Sequence, residues 1–585
     1  MNRRELHAAS AALAGSAGLP ALAAQRAASR VRPGQAGWPR ASDWSALNQA
    51  TGGRVAPVTL PSLDTPEARA LLANPFYIAD QPGLTESSGW LGGWRSSPSA
   101  YAVKAQSAAD IAAAVRFAGA HNLRLVVKGR GHSYLGGSSA PDSLLVWTRA
   151  MDEVTVHDAF APAGSNAAPV PAVSAGAGCM WLHAYQAVTT GAGRYVQGGG
   201  CTTVGVAGLI QGGGFGSYSK AHGLAAASLL EAEVVTADGR IHVVNHAREP
   251  DLFWALKGGG GGTFGIVTRI TLATHVLPET FGAVQLKIQA HSNDAYRRLL
   301  ACFVDLYATN LCNPHWGETV HIRPDNRLDV TMVFQGLTQP QAAAAWKPLI
   351  DFANANPTDF EGQNGFFAIA IPARRFWDAD FLRRNAPGAT TPDSRPGASA
   401  TDFSWSGDGD QIGLFWHAYT SAWMPSSLLK PRNQPRLVDA LLAASRQWQM
   451  SLHFNKGLFG AAGAVLDAAR DTALNPDVVD AFALAIIATG EGSLYTNNHP
   501  DLAKARANAG RIHAAMAALR LAAPSTGAYV NECDYFQPDW QKAFWGDNYA
   551  RLARVKRRYD PMGLFTVHHG VGSEAWSEDG FTRTA

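Results

Sequence analysis

The chain has 585 residues, with 49 Lys and Arg against 46 Asp and Glu and a formal charge of +3. That length allows roughly two to four domains with a sizeable core, and so small and diffuse a charge gives no basic face for a nucleic-acid partner. The five cysteines, at 179, 201, 302, 312 and 533, have no metal-ligand spacing and leave one over, which argues against a metal centre and a disulfide framework.

Residues 1–24, MNRRELHAASAALAGSAGLPALAA, set Arg3 and Arg4 before a short stretch rich in Ala and Leu that closes on Ala21-Leu22-Ala23. This pattern predicts a twin-arginine signal and export of the folded protein, to a periplasm or the medium. Residues 25–94 read as a linker or arm that wraps or trails, rich in Pro, Gly, Ala and Ser up to about residue 70. No later segment has the ~18 apolar residues of a membrane span.

A first domain is expected over residues 95–277. SAYAVKAQ reads as a strand, and Ser107 to His121 as a helix with Asp110 completing a capping box and Ile111, Ala114, Val115 and Ala118 on one face. The strand RLVVK (124–128) runs into GRGHSYLGG (129–137), where Gly129 and Gly131 let backbone N–H groups converge on an anion, with Arg130 adding charge. His132 brings a nucleophilic ring nitrogen to that loop.

Residues 197–216, QGGGCTTVGVAGLIQGGGFG, place two glycine triplets around Cys201 and a short apolar helix, with no charged side chain in the run. Backbone this bare can close on a large flat ligand, because no Cβ keeps it away. Gly260 to Gly265 match GxGxxG, but a helix (249–257) precedes them and a strand (264–275) follows. That order is the reverse of a nicotinamide-binding turn and disfavours one. Walker, HExxH and GxSxG motifs are absent from the sequence.

These motifs, with DLFWALKGGGGGTFGIVTRI, YVNECD and WGDNYARLARVKRRYDPMGLF, resemble the berberine-bridge-enzyme-like flavoproteins of the vanillyl-alcohol-oxidase superfamily. The resemblance implies an α+β fold: a two-part PCMH-type FAD-binding domain, then a substrate domain (278–524) with an antiparallel sheet backed by helices. A C-terminal segment, 525–585, would return to the FAD domain. The implied cofactor is FAD bound twice, through His132 to the 8α-methyl and through Cys201 to carbon 6. Gly129, Arg130, Gly131, Ser133 and Gly137 fall on the first FAD-binding loop. Gly200, Thr202, Val204, Gly205, Gly208, Gly213 and Gly214 fall on the second, and Gly265 and Val267 on the strand after the third. Valine at 204 accompanies oxidases in this family. Leu209 departs from the histidine that many relatives carry, so charge on reduced flavin would have to be met by backbone amides or the C-terminal segment.

The family's chemistry needs a base for the substrate hydroxyl proton while the neighbouring C–H delivers hydride. The family's sugar oxidases use a tyrosinate, and Tyr529 in YVNECD is the corresponding candidate here, with Asn531 aligning flavin or substrate. Tyr134, Tyr218, Trp416, His417 and His453 are pocket candidates. Within the substrate domain, strands are expected at 281–289, 328–336, 365–372, 412–419 and 482–489, and residues 378–410 read as an insertion that either lies over the site or is disordered. In the C-terminal segment, Leu552 and Val555 should pack inward from a helix stopped at Asp560-Pro561, and Lys556, Arg557 and Arg558 should form a solvated face.

The expected activity is an oxidase, turning an alcohol such as the anomeric hydroxyl of a sugar into a carbonyl or lactone with O2 as acceptor. The alternatives are a dehydrogenase or oxidative cyclase on a phenolic or alkaloid-like metabolite, and a flavin-binding protein without catalysis.

Overall fold

The computed structural model describes residues 29–496, 499–524 and 526–584; the twin-arginine segment lies outside them. The strand Tyr101–Lys104 leads into the helix Ala108–Ala120. The helix starts where expected: Ser107 Oγ accepts from Asp110 N (3.2 Å) and the Asp110 carboxylate accepts from Ser107 N (3.1 Å). Ile111, Ala114, Val115 and Ala118 are buried, packing against Val103 and Val146 of one sheet and Val235 and Ile266 of the next.

The first sheet has four strands in the order Val55–Pro57, Tyr101–Lys104, Leu144–Trp147, Leu125–Lys128, the last three mutually parallel. The second has five antiparallel strands, Ile241–Val244, Leu229–Val235, Ile266–Ala273, Val170–Gly176 and Val154–Phe160 in spatial order.

The stretch read as a linker is built into the first sheet. The helix Ala41–Ala50 buries Trp44 and Leu47, with the Trp44 ring stacked 4.0 Å from that of Tyr101, and Val55–Pro57 pairs antiparallel with Tyr101–Lys104. Two large apolar side chains are enough to dock a helix whose composition is otherwise that of a loop.

The third sheet has nine strands and carries the opposite side of the molecule. Its long strands, Thr280–Ala290, Arg327–Gln335, Phe415–Pro425 and Ala481–Glu491, fall where the sequence predicts strands, and Phe367–Pro372 pairs at the edge. Trp316–Ile322 and Met450–His453 complete its centre and were missed, because Glu318, His321 and His453 interrupt their apolar pattern. Gly89–Trp90 adds a short parallel strand beside Phe415–Trp416, so a segment preceding the first domain joins the far sheet. Helices Asn293–Leu306, Gln339–Asn354, Gln434–Gln447 and Leu502–Arg520 supply its apolar backing.

The C-terminal helix Tyr549–Tyr559 sends Leu552 and Val555 into the core with Phe264 and Trp254, and Phe565 forms a bridge to Leu125. Asp560 ends the helix by accepting from Leu564 N (2.7 Å) and Phe565 N (2.9 Å). Arg557 and Arg558 are exposed as expected, but Lys556 is buried. Its ammonium donates to Thr263 O (2.6 Å), Phe565 O (2.5 Å) and the Asp560 carboxylate (2.7 Å), so it pins the returning segment to the glycine turn at 260–265.

Residues 378–410 are ordered against the cofactor half. They form the helix Ala379–Asn385 and the hairpin Thr390–Pro392 with Phe403–Trp405, followed by a turn over Ser406–Gln411. Arg395 ties the hairpin to Asp80 (3.0 Å) and Asp393 (2.7 Å), and Asp402 meets His183 (3.0 Å). Among the described residues, no helix is long and apolar enough to cross a membrane.

Candidate active site

A cavity of about 290 Å³ lies where the 129–137 loop, the 204–211 helical turn, the 260–267 turn and the 529–532 segment converge. Gly129, Arg130, Gly131, His132, Ser133 and Gly137 line it, as do Val204, Gly205, Gly208, Leu209, Gly265 and Val267. Tyr134, Tyr529 and Asn531 line it as well, together with Glu532 of the same YVNECD motif and with His568 and His569, which no motif singled out.

The first loop is shaped by backbone and by buried cations. Gly131 has φ +85°, a left-handed conformation that turns the chain back immediately before His132. Arg130 is 2 % exposed; its Nε donates to Gly178 O (2.7 Å), while Nη1 and Nη2 are buried with no hydrogen-bond partner. Asp80 is 3.8 Å away. Lys128 behind it is buried, with its ammonium on Gln81 O (2.5 Å) and Leu84 O; burial lowers its pKa to about 7.

His132 Nε2 lies 3.1 Å from Thr203 Oγ1, and burial, aided by Arg130, lowers the imidazole pKa to about 4, so the ring is neutral at physiological pH. That contact brings His132 to the segment that begins at Cys201. The Cys201 thiol is pushed well above its ordinary range by burial and by the carboxyls of Asp408 and Glu86, and it is protonated. Thr202 is buried beside it. The turn at 403–411 lies on this edge: Trp405 Nε1 donates to Gly200 O (3.1 Å), and Tyr134 Oη donates to Gln411 Oε1 (3.0 Å).

The second glycine triplet holds the C-terminal segment. A Cβ on Gly212 would sit 2.1 Å from Asn531 Nδ2, so only glycine admits that side chain. Asn531 Nδ2 donates to Tyr529 Oη (3.0 Å), and Gly214 N donates to the same oxygen (3.3 Å). Gly213 packs against Leu474. To act as a tyrosinate at neutral pH, Tyr529 would need a neighbouring positive charge or the flavin's own field. Burial and the Glu532 carboxylate hold its phenol well above the ordinary tyrosine range, and the nearby cation, Lys456, is paired with Glu532 at 2.5 and 2.6 Å.

The remaining pocket candidates divide. Trp416 stands behind Tyr134, ring centroids 4.9 Å apart, with Nε1 on Ser87 Oγ (2.8 Å). Tyr218 is in the core instead, stacked on Phe281 and donating to Phe334 O (3.0 Å). His417 is 2 % exposed between Asn508 (3.2 Å) and Glu491 (3.3 Å), and His453 contacts Ser451 (2.9 Å) on the central strands. These three candidates do not line the cavity and are covered by neighbouring elements. Sequence reading also missed Glu86 and Asp408, each a lone acid in a loop without a motif. Glu86 Oε2 and Asp408 Oδ2 are buried and unpartnered.

The donor set fits a dinucleotide with a flat ring system. Two orphaned guanidinium nitrogens of Arg130 answer a pyrophosphate. Gly208 and Gly261, both lining the cavity, have nothing within 4 Å of where a Cβ would stand, which leaves room for a ring to lie against backbone.

Comparison with known proteins agrees with that fit. Residues 99–245 match the FAD binding domain family, and residues 528–572 match the berberine and berberine-like family. An uncharacterised FAD-linked oxidoreductase of Arthroderma benhamiae is 31% identical over 589 residues, spanning 95% of both chains. The VAO-type flavoprotein oxidase VAO615 of Thermothelomyces thermophilus is 29% identical over 94% of both chains. The crystal structure of MtVAO615 from Myceliophthora thermophila superposes with a TM-score of 0.77 at 26% identity, covering 95% of this chain and all of that one. The glucooligosaccharide oxidase of Acremonium strictum shares the fold, with a TM-score of 0.65 at 20% identity over 90% of this chain and 99% of its own. With these relatives and this cavity, the chain belongs to the berberine-bridge-enzyme-like FAD-linked oxidoreductases of the vanillyl-alcohol-oxidase superfamily, and is an FAD-dependent oxidoreductase.

Proposed function

We propose that this protein is an exported oxidase that carries FAD on two covalent bonds, from His132 and Cys201, and oxidises an alcohol with O2 as acceptor, releasing H2O2. The observation that carries the reading is the contact of His132 with Thr203, which gathers a neutral imidazole and the Cys201 segment on one edge of the cavity. Export rests on the Arg3-Arg4 signal pattern. The oxidase reading rests on Val204, a small side chain on the cavity wall.

Bound there, FAD supplies a hydride acceptor. Arg130 and the 129–131 backbone would hold the pyrophosphate, and Gly208 and Gly261 would admit the ring system. Tyr529, its oxygen fixed by Asn531 and Gly214, meets the substrate hydroxyl. A neutral buried phenol cannot hold a further proton, so Glu532, lining the same cavity and paired with Lys456, takes up the proton that leaves.

The primary substrate reading is the anomeric hydroxyl of a sugar or oligosaccharide, the kind of substrate that names the Acremonium strictum enzyme. One observation favours a second, more compact, phenolic or alkaloid-like substrate: the turn at 403–411 and the Tyr134–Gln411 bond close the wall on the Cys201 side, where an oligosaccharide would need an open groove. The test is peroxide release from the purified protein on a panel of mono- and oligosaccharides beside phenolic alcohols, with flavin bleaching followed without air. Turnover of any alcohol with stoichiometric H2O2 supports the oxidase. Bleaching by substrate without peroxide in air overturns it in favour of a dehydrogenase.

A further inference from the structure

The carboxyl group of Asp408 has no role in the chemistry described so far. It sits in the Ser406–Gln411 turn, which is bonded to the cofactor half at both ends: Trp405 Nε1 donates to Gly200 O (3.1 Å), and Gln411 Oε1 accepts from Tyr134 Oη (3.0 Å). Gly200 immediately precedes Cys201, so the turn lies over the thiol. The Asp408 carboxyl lies close enough to the Cys201 thiol to help hold it protonated, and its Oδ2 is buried without a hydrogen-bond partner. An acid left this way in a protein interior is costly unless it serves something.

We propose that Asp408 is the catalytic base for attachment of Cys201 to the flavin, taking the thiol proton as sulfur bonds to carbon 6; this rests on the bicovalent reading above. The thiol needs such a base, because its surroundings hold it protonated and only the thiolate is a competent nucleophile. The Thr203 backbone N–H favours the thiolate that results. In the balanced step the S–H bond breaks and its proton goes to Asp408. The sulfur pair forms the S–C6 bond, the hydrogen on C6 leaves as a proton, and the two electrons left in the ring pass to O2, which becomes H2O2.

Glu86 is the competing acid, but it lies outside the turn that is bonded to Gly200. Its backbone is clamped between the His132 loop, through Gly131 O (3.0 Å), and the far wall, through Gly413 N (2.7 Å). It is 5 % exposed, and burial raises its carboxyl to about 8, so at neutral pH it already holds a proton. Asp408, raised only to about 6, is ionised and can accept one.

The test is peptide mapping by mass of the protein as expressed, scoring the fraction of Cys201 peptide that carries flavin, for wild type, Asp408→Asn, Asp408→Glu and Glu86→Gln. Asp408→Asn should lower the cysteine-linked fraction at least tenfold while flavin stays on His132, which also shows that the variant has folded around its cofactor. Asp408→Glu should restore most of the cysteine bond, and Glu86→Gln should keep it. A full cysteine bond in Asp408→Asn, or its loss in Glu86→Gln alone, overturns the assignment. A wild type with flavin on His132 but none on Cys201 overturns the bicovalent reading itself, which is a separate result from failure of Asp408.

Discussion

One wall of the cavity is made of two glycine-rich stretches, 129–137 and 204–211, while the other is the segment Tyr529 to Glu532, around which charged groups gather from distant places: Lys456 paired with Glu532, and Glu86 and Asp408 near Tyr134. The first wall works through main chain. Its glycines let backbone and one buried arginine approach a ligand, so its requirements are local and contiguous. The second works through side chains whose charges are set by each other, as Lys456 pairs with Glu532 and as Asp408 and Glu86 both raise the Cys201 thiol. In the proposed function the first wall holds the cofactor and the second handles protons, so the first should be sensitive to a change of backbone and the second to loss of Tyr529 or Glu532.

Removing both proposed flavin nucleophiles, His132 and Cys201, should have the largest effect. On a denaturing gel the His132→Ala, Cys201→Ala double variant should show no flavin fluorescence, while each single variant keeps its flavin. Retention by the double variant would mean that the holding wall lies elsewhere.

Next in size, Tyr529→Phe and Glu532→Gln should each slow flavin reduction by substrate by ~10²–10⁴, measured by stopped flow, with FAD still attached. A loss of only a few-fold in both would remove proton handling from the acting wall.

Lys556→Met tests the foundation of the holding wall, since it leaves Asp560 buried without its cation. Breaking such a pair typically costs ~3–5 kcal/mol, and thermal melts should show a large drop. An unchanged melting temperature would mean that the returning segment is held by apolar packing of Leu552 and Val555 alone.

A smaller effect separates the walls by pH. Glu86 has its folded pKa raised to about 8 by burial. Between the ordinary carboxylate range and pH 8 the folded chain therefore binds more protons than the unfolded chain, and stability falls as pH rises through that window. Glu86→Gln should gain on wild type from pH 5 to 8, by no more than a few kcal/mol, and hold a constant advantage above that. Melts at pH 5, 6.5 and 8 check it, and parallel curves would place Glu86 in contact with solvent.

The family and most of the long strands and helices were legible in the sequence, because each depends on neighbours along the chain. Ser107 and Asp110 sit three apart and cap a helix anywhere; a glycine loop after RLVVK closes on an anion wherever the sheet puts it. The same locality made 260–265 readable as the wrong order for a nicotinamide site. Local patterns failed where burial is decided by another segment. The stretch near Trp44 had the composition of a linker, yet that ring stacks on Tyr101. Lys556 had the spacing of a solvated face, yet it is sealed under Thr263 and Phe565. Tyr218, His417 and His453 had the polarity of pocket residues and are covered by adjacent strands and helices.

The acting wall shows the division most plainly. Motifs read along the chain were enough to bring a histidine and the YVNECD segment to one glycine-rich cavity. It took the closed fold to gather Glu86, Asp408 and Glu532, from distant segments, around Tyr134. It also left Tyr529 without a cation. Proton affinities are set by burial and by charges within a few ångströms, and those distances exist only once the three sheets have closed on one another.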